Sequence, residues 1–195
     1  MKKLILFLFV IVLVITVKNV YFTEITTSTS DVYTYCKTNG YSTNYCFLVD
    51  FSKPSGIKRF YIYDFKNDKV LYKSLCANGL GRNYNIFKTT FSNEIGSYYS
   101  SLGKYKVGKL RPVYNPNFFF KEGYEVFGLD SSNSNAYTRG ILIHEGNLEF
   151  ETFPLPCLPV SKGCFAVSKS AMQQIKAITT SETKPILLIA YKHGQ

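Results

Sequence analysis

The chain has 195 residues, with 23 Lys and Arg against 13 Asp and Glu, a formal charge of +10, five Cys, two His and no Trp. The length suits one domain, and 46% hydrophobic with 18% charged residues excludes a disordered basic tail. Five cysteines are too few for a disulfide scaffold and odd in number, so at least one thiol stays unpaired within the chain, while two histidines exclude any site of three or more His.

Met1-Lys2-Lys3 precedes a run from Leu4 to Val17 that is apolar except for Thr16. A short basic start and an apolar run of this length form the pattern of a secretory signal, and the run falls short of the ~20 apolar residues that span a bilayer comfortably. No Ala-x-Ala site follows it, so residues 1–22 read either as a signal peptide or as an uncleaved N-terminal anchor, and the protein reads as exported. Residues 23–44, rich in Thr, Ser and Tyr without an apolar period, read as a tether. Residues 45–195 read as the single folded domain.

Within that domain Cys46–Phe51, Arg59–Phe65 and Lys69–Leu75 are short, β-branched and aromatic, and are separated by turn residues Lys53-Pro54-Ser55-Gly56 and Asn67-Asp68. Phe60, Ile62 and Asp64 alternate with Tyr61, Tyr63 and Phe65, so neither face of that strand is polar. Gly79, Gly81 and the stretch to Ser97 suggest an ordered loop. Leu102–Val107, Tyr124–Leu129 and Thr138–His144 are further expected strands. Ser168 is a candidate N-cap for a helix whose Ala171, Ile175 and Ile178 share one face, and Pro185–Tyr191 closes the chain as a buried strand. The expectation is a mainly β fold with one late α-helix.

Without Lys2, Lys3 and Lys18 the formal charge is +7, and the remaining basic residues are dispersed (Lys53, Lys58, Arg59, Lys104, Lys106, Lys109, Arg111). No nucleic-acid-binding motif accompanies them, so nucleic acid is not expected as a partner. Solvation explains the excess, and an anionic envelope polymer is the natural partner if the charge is used. No CxxC or HxxxH spacing points to a metal, and no cofactor is expected.

The chemistry-bearing pair is His144-Glu145-Gly146 and Ser161-Lys162-Gly163-Cys164. A thiol is the best side-chain nucleophile near neutral pH, and a neighbouring imidazole can take its proton. Gly163 permits an unusual backbone angle that lets the sulfur project and leaves N–H groups to serve an oxyanion. On residues alone, a structural histidine and an ordinary turn cysteine form the competing reading.

The segment Ile141-Leu-Ile-His144-Glu-Gly146, followed at a distance by Ser161-Lys-Gly-Cys164, resembles the histidine and cysteine signature of the murein L,D-transpeptidase catalytic domain family. Phe91-Ser92-Asn93, Gly96-Ser97, Ser100-Ser101-Leu102-Gly103-x-Tyr105 and Gly128-Leu129…Asn135-Ala136-x-x-Arg139 are similar to further blocks of that family, in the same order. The resemblance covers roughly Tyr45 to Tyr191. It implies a β-sandwich-like catalytic fold and a ping-pong acyl transfer on peptidoglycan stem peptides, without a cofactor.

Under that resemblance Cys164 is the nucleophile, His144 the base, the Glu145 backbone carbonyl the group that orients the imidazole, and the N–H groups of Gly163 and Cys164 the oxyanion donors. An ion pair between His144 and Cys164 would titrate as one coupled unit. Ser161 either contacts substrate or supports the turn. Arg139 and Lys162 are candidates for holding substrate carboxylates. Arg139 stands five residues before His144 on the same expected strand, hence on the opposite face by alternation, so a structural pairing is the alternative; for Lys162 it is solvation. Ser97, Ser100 and Tyr105 either line the cleft or pack. The chain departs from the family at Phe165, which follows the nucleophile, and at Asn78 before Gly79. Two rival activities stay open, an L,D-carboxypeptidase or amidase that uses water and an inactive envelope-binding module. Cys36, Cys46, Cys76 and Cys157 are free to form disulfides in any of three connectivities.

Overall fold

The computed structural model describes residues 25, 27–82, 89–118, 120–146, 148 and 160–193; the expected export segment and Cys157 lie outside them. In chain order the elements are helix α1 (Thr29–Asn39), strands β1 (Tyr45–Asp50), β2 (Phe60–Asp64), β3 (Lys69–Ser74), β4 (Asn78–Gly79), β5 (Gly103–Pro112), β6 (Glu122–Gly128), β7 (Leu142–Glu145), β8 (Val160–Ser161) and β9 (Phe165–Val167), helix α2 (Lys169–Ser181) and strand β10 (Leu187–Tyr191).

Eight strands form one mixed sheet in the order β3-β2-β1-β10-β5-β6-β7-β9, and β4 pairs with β8 in a separate two-stranded ladder. The sheet curls until its edges nearly meet. Cys76, just past β3, bridges to Val167 of β9, and the Ala77 N–H donates to Ala166 O at 2.8 Å. The expected mainly β fold with a late helix is observed, built as one sheet that is nearly a closed barrel.

Hydrophobic alternation sets the two faces. Phe47, Val49, Ile62, Val107, Tyr124, Val126, Ile143, Phe165, Val167 and Leu188 turn inward and meet Ala171, Met172, Ile175 and Ile178 of α2 in the main core. Ser168 caps α2, its Oγ accepting from the Ala171 N–H at 3.1 Å. Cys46, Leu48, Tyr61, Tyr63 and Leu187 turn outward into a second cluster with Val32 and Cys36 of α1. β2 is therefore buried on both faces, which is why its sequence has no polar side.

Two expectations are corrected. The stretch read as a tether contains α1, capped by Ser28 and closed by Gly40 at φ 76°. Its buried stripe is only Val32 and Cys36, too thin to register as a period. The strand expected over Thr138–His144 begins only at Leu142, because residues 131–140 run through turns that end on Gly140 at φ 68°.

One buried cation ties the sheet to the site. Arg59 is fully buried, and its guanidinium donates to Cys76 O (2.8 Å), Lys53 O (2.8 Å) and Asn78 Oδ1 (2.6 Å). Burial pushes it down to about 10, still cationic at neutral pH. Asn78 lies in β4, whose partner β8 ends on Ser161.

Candidate active site

β7 and β9 pair in parallel, with Ile143 opposite Phe165, His144 opposite Ala166 and Glu145 opposite Val167. Extending the register by one places Cys164 opposite Leu142. Ile143 and Phe165 point into the core, so Leu142, His144, Cys164 and Ala166 share the outer face. His144 and Cys164 are thus diagonal neighbours on adjacent strands.

The imidazole is held from two sides. His144 Nδ1 lies 2.7 Å from the carbonyl oxygen of Glu145. A carbonyl only accepts, so Nδ1 carries the proton and Nε2 is the basic nitrogen. The Phe120 ring stacks on the imidazole with centroids 3.6 Å apart and planes 15° off parallel. Burial, opposed by the Glu145 carbonyl, pushes the histidine down to about 4, so it is neutral at pH 7.

Cys164 is half-buried, and its thiol donates weakly to Gly140 O at 3.8 Å. Burial pushes the thiol above its ordinary value, against the Leu142 N–H bonded to the sulfur and the charges of Arg139 and Arg111. The resting pair is therefore neutral thiol and neutral imidazole, not an ion pair. Cys36, Cys46 and Cys76 are buried free thiols, pushed up by desolvation to about 11, well above the ordinary value and about 12 respectively. Among the described cysteines only Cys164 meets solvent.

The loop before the sulfur is tied to itself and to two other segments. Ser161 Oγ donates to Cys164 O at 2.7 Å and accepts from the Gly163 N–H at 3.1 Å. Ser161 is thus the turn support, and the Gly163 N–H, expected as an oxyanion donor, is already engaged. Among the described residues nothing accepts from the Cys164 N–H. Gly163 sits at φ 115°, and a Cβ there would stand 2.6 Å from Ile141 Cδ1 and 3.0 Å from Tyr99 O. Ser100 Oγ accepts from the Gly79 N–H at 2.9 Å and donates to Gly163 O at 3.1 Å, joining β4 to the cysteine loop.

Arg139, off the strand in the turn before Gly140, donates to Ser92 O (2.8 Å), Ser101 Oγ (3.2 Å), Ser97 Oγ (3.3 Å) and Tyr99 O. Those bonds fasten the 92–101 segment behind the cysteine loop, and Ser97 is one of the points fastened. Tyr105 is fully buried, with its hydroxyl on Ser101 O at 2.7 Å and its ring edge-on to Phe165, so it packs. Lys162 is exposed, its Nζ 5.5 Å from the centre of the Tyr98 ring. The Glu145 side chain is also exposed, and only its carbonyl joins the site.

Sequence reading singled out neither Phe120 nor the Leu142 N–H. Phe120 ends the run Phe118-Phe119-Phe120 outside any strand, where no period can mark a functional aromatic. Among the described residues no three His, Cys, Asp or Glu side chains gather as a metal site, and no helix is long and apolar enough to cross a membrane.

Known proteins share this arrangement at the level of family and fold. The profile of the family described as L,D-transpeptidase catalytic domain matches residues 18–189. No curated protein sequence matches the chain significantly. Among solved structures, the helical cell shape determining protein Pgp2 of Campylobacter jejuni is similar at 14% identity and TM-score 0.50, over 80% of this chain and 50% of that one. The L,D-transpeptidase fragment 123–326 from Xylanimonas cellulosilytica is similar at 14% identity and TM-score 0.43, over 76% and 60%. L,D-transpeptidase 3 from Mycobacterium tuberculosis, in complex with a faropenem-derived adduct, is similar at 13% identity and TM-score 0.38, over 75% and 60%. The chain spans about half the length of Pgp2 and three-fifths of the other two.

Proposed function

We propose that this chain, which belongs to the L,D-transpeptidase catalytic domain family, is a cysteine acyltransferase of the cell envelope that acts on peptidoglycan stem peptides. The observation that carries the reading is the register of β7 and β9, which sets Cys164 beside an imidazole whose Nδ1 is fixed and whose Nε2 is basic. The formal charge of +10 suits an anionic wall polymer.

As the donor carbonyl approaches Cys164, His144 Nε2 takes the thiol proton and the sulfur attacks the carbon. The oxygen becomes an oxyanion, for which the Cys164 N–H is the donor at hand. Collapse breaks the C–N bond to the terminal D-amino acid, and His144 returns the proton to the departing amine, leaving a thioester. The amine of a second stem then attacks the thioester, gives its proton to His144 and expels the thiolate, which is reprotonated. Water in place of that amine makes the same site a carboxypeptidase. Both neutral resting groups suit this sequence, since the base is unprotonated at pH 7 and can take the thiol proton as the sulfur attacks.

A carbapenem, whose strained carbonyl acylates a thiolate without a leaving amine, tests the nucleophile. Intact mass should show a stoichiometric adduct on the wild type and none on Cys164→Ala; no adduct on either sinks the reading. With disaccharide-tetrapeptides, cross-linked dimers are expected, and tripeptide with free D-amino acid alone would assign the hydrolytic reaction instead.

A further inference from the structure

Arg111 stands in a row that crosses four strands. Arg111 pairs with Gly123, Gly123 with His144, and His144 with Ala166. Paired residues point to the same side of a sheet, so Arg111 shares the outer face with His144 and Cys164. Two inter-strand spacings, about 10 Å, separate its backbone from that of His144, a gap that an arginine and a small ligand group bridge together.

The side that Arg111 faces is set by a β-bulge. Val107 lies opposite Val126 and points into the core, and strict alternation would turn residue 111 inward as well. Between Val107 and Leu110 the register shifts by one, and Arg111 emerges on the outer face. The position between it and the imidazole carries no side chain of its own: a Cβ on Gly123 would stand 3.1 Å from Ile143 O, 3.2 Å from Leu142 Cδ1 and 3.3 Å from His144 Cβ. The floor from Arg111 to His144 is therefore the Gly123 backbone with the Leu142 side chain against it.

Arg111 is 46% exposed, and its Nε lies 3.5 Å from Oε1 of Glu125, which is 19% exposed and one pair along the same face. That contact holds the guanidinium at Nε. Among the described residues its two terminal nitrogens have no partner, and they form a planar fork matched to a carboxylate. Two other cations of the cysteine-loop region are committed elsewhere, Arg139 to the 92–101 segment and Lys162 against Tyr98.

We propose that Arg111 anchors a carboxylate of the acyl donor through its terminal nitrogens, across the gap left by Gly123, and makes the cleft selective for peptides with a free carboxylate close to the scissile carbonyl. The substrate class rests on the acyl-transfer reading above; the anion site itself does not. The positive charge of Arg111 also acts on the Cys164 sulfur, which agrees with its placement over the same cleft.

Iodoacetate and iodoacetamide separate the two questions. Both alkylate the Cys164 thiolate by forming an S–C bond and expelling iodide, and they differ chiefly in charge. The ratio of their rate constants cancels the thiolate fraction and reads the attraction for the anion alone. Measured by intact mass, with Cys164→Ala as the control for other thiols, the wild-type ratio should exceed that of N-acetylcysteine. Arg111→Gln should lower it about five- to tenfold, Arg111→Lys should lower it less, and Glu125→Gln should raise it. An Arg111→Gln ratio within twofold of wild type, in a variant of unchanged thermal midpoint, overturns the proposal. With donor tetrapeptides, Arg111→Gln should raise KM for the free acid and leave the carboxamide unchanged; equal effects on both also overturn it. Loss of cross-linking with a charge-sensitive alkylation ratio would instead condemn the acyl-transfer reading and leave the anion site standing.

Discussion

The sheet contains two parallel strand pairs, β1 with β10 and β7 with β9, in surroundings that are otherwise antiparallel. Both face the main core on their inner side. On the outer side β1 and β10 present Cys46, Leu48 and Leu187, which are sealed under α1. On the outer side β7 and β9 present Leu142, His144 and Ala166, with Cys164 just ahead of β9, and the Phe120 ring stacks on the imidazole. A parallel pair needs both faces covered. One pair meets that need with apolar side chains and the neutral thiol of Cys46. The other buries an imidazole, and the cost shows as a histidine that resists protonation.

The comparison predicts opposite responses to change. Leu48→Ala, on the sealed pair, should cost about 2–5 kcal/mol of stability in denaturant titration and leave the alkylation rate of Cys164 in the folded protein unaltered; a changed rate would show that the two pairs are coupled. On the open pair, His144 titrates at about 4 in the folded protein against an ordinary 6.5. Between those values the unfolded chain binds a proton that the native site refuses, so stability falls as pH drops from 6.5 towards 4. The loss approaches about 3 kcal/mol. His144→Gln should remove that component, and denaturation midpoints at pH 7 and 4.5 that move equally in wild type and variant would contradict it.

Gly163→Ala forces a Cβ against Ile141 and the Tyr99 carbonyl at a φ of 115°. Misplacing the sulfur should slow thioester formation about 100-fold, and an unimpaired carbapenem adduct rate would show that the loop yields. The smallest effect is expected from Phe120→Ala. Admitting water to the imidazole should raise the acid limb of Cys164 acylation by about one pH unit; an unmoved limb would transfer the cause of the depressed value to other buried contacts.

Most of the sheet was legible because its strands are dictated by local apolar patterning. Cys46–Phe51, Arg59–Phe65 and Lys69–Leu75 correspond within a residue to β1, β2 and β3. The N-cap serine and apolar stripe likewise marked α2. Features made by tertiary contact were not legible. α1 depends on two buried residues that meet a cluster from three strands, and Arg139, drawn on the strand, lies in the turn before it. The candidate site divides in the same way. Cys164, His144 and the Glu145 carbonyl follow from motif and adjacency, whereas Phe120 and the proposed anchor Arg111 are brought in by packing and by strand register. No local spacing encodes either.

The group that orients the imidazole is a main-chain carbonyl, not a carboxylate side chain. It carries no proton of its own at any working pH, so it adds no titration to those of the thiol and the imidazole. It is also beyond the reach of ordinary point substitution. Replacing Glu145 changes an exposed side chain and leaves the acceptor in place, so this element of the machinery is inherited through the path of the backbone rather than through the identity of a residue.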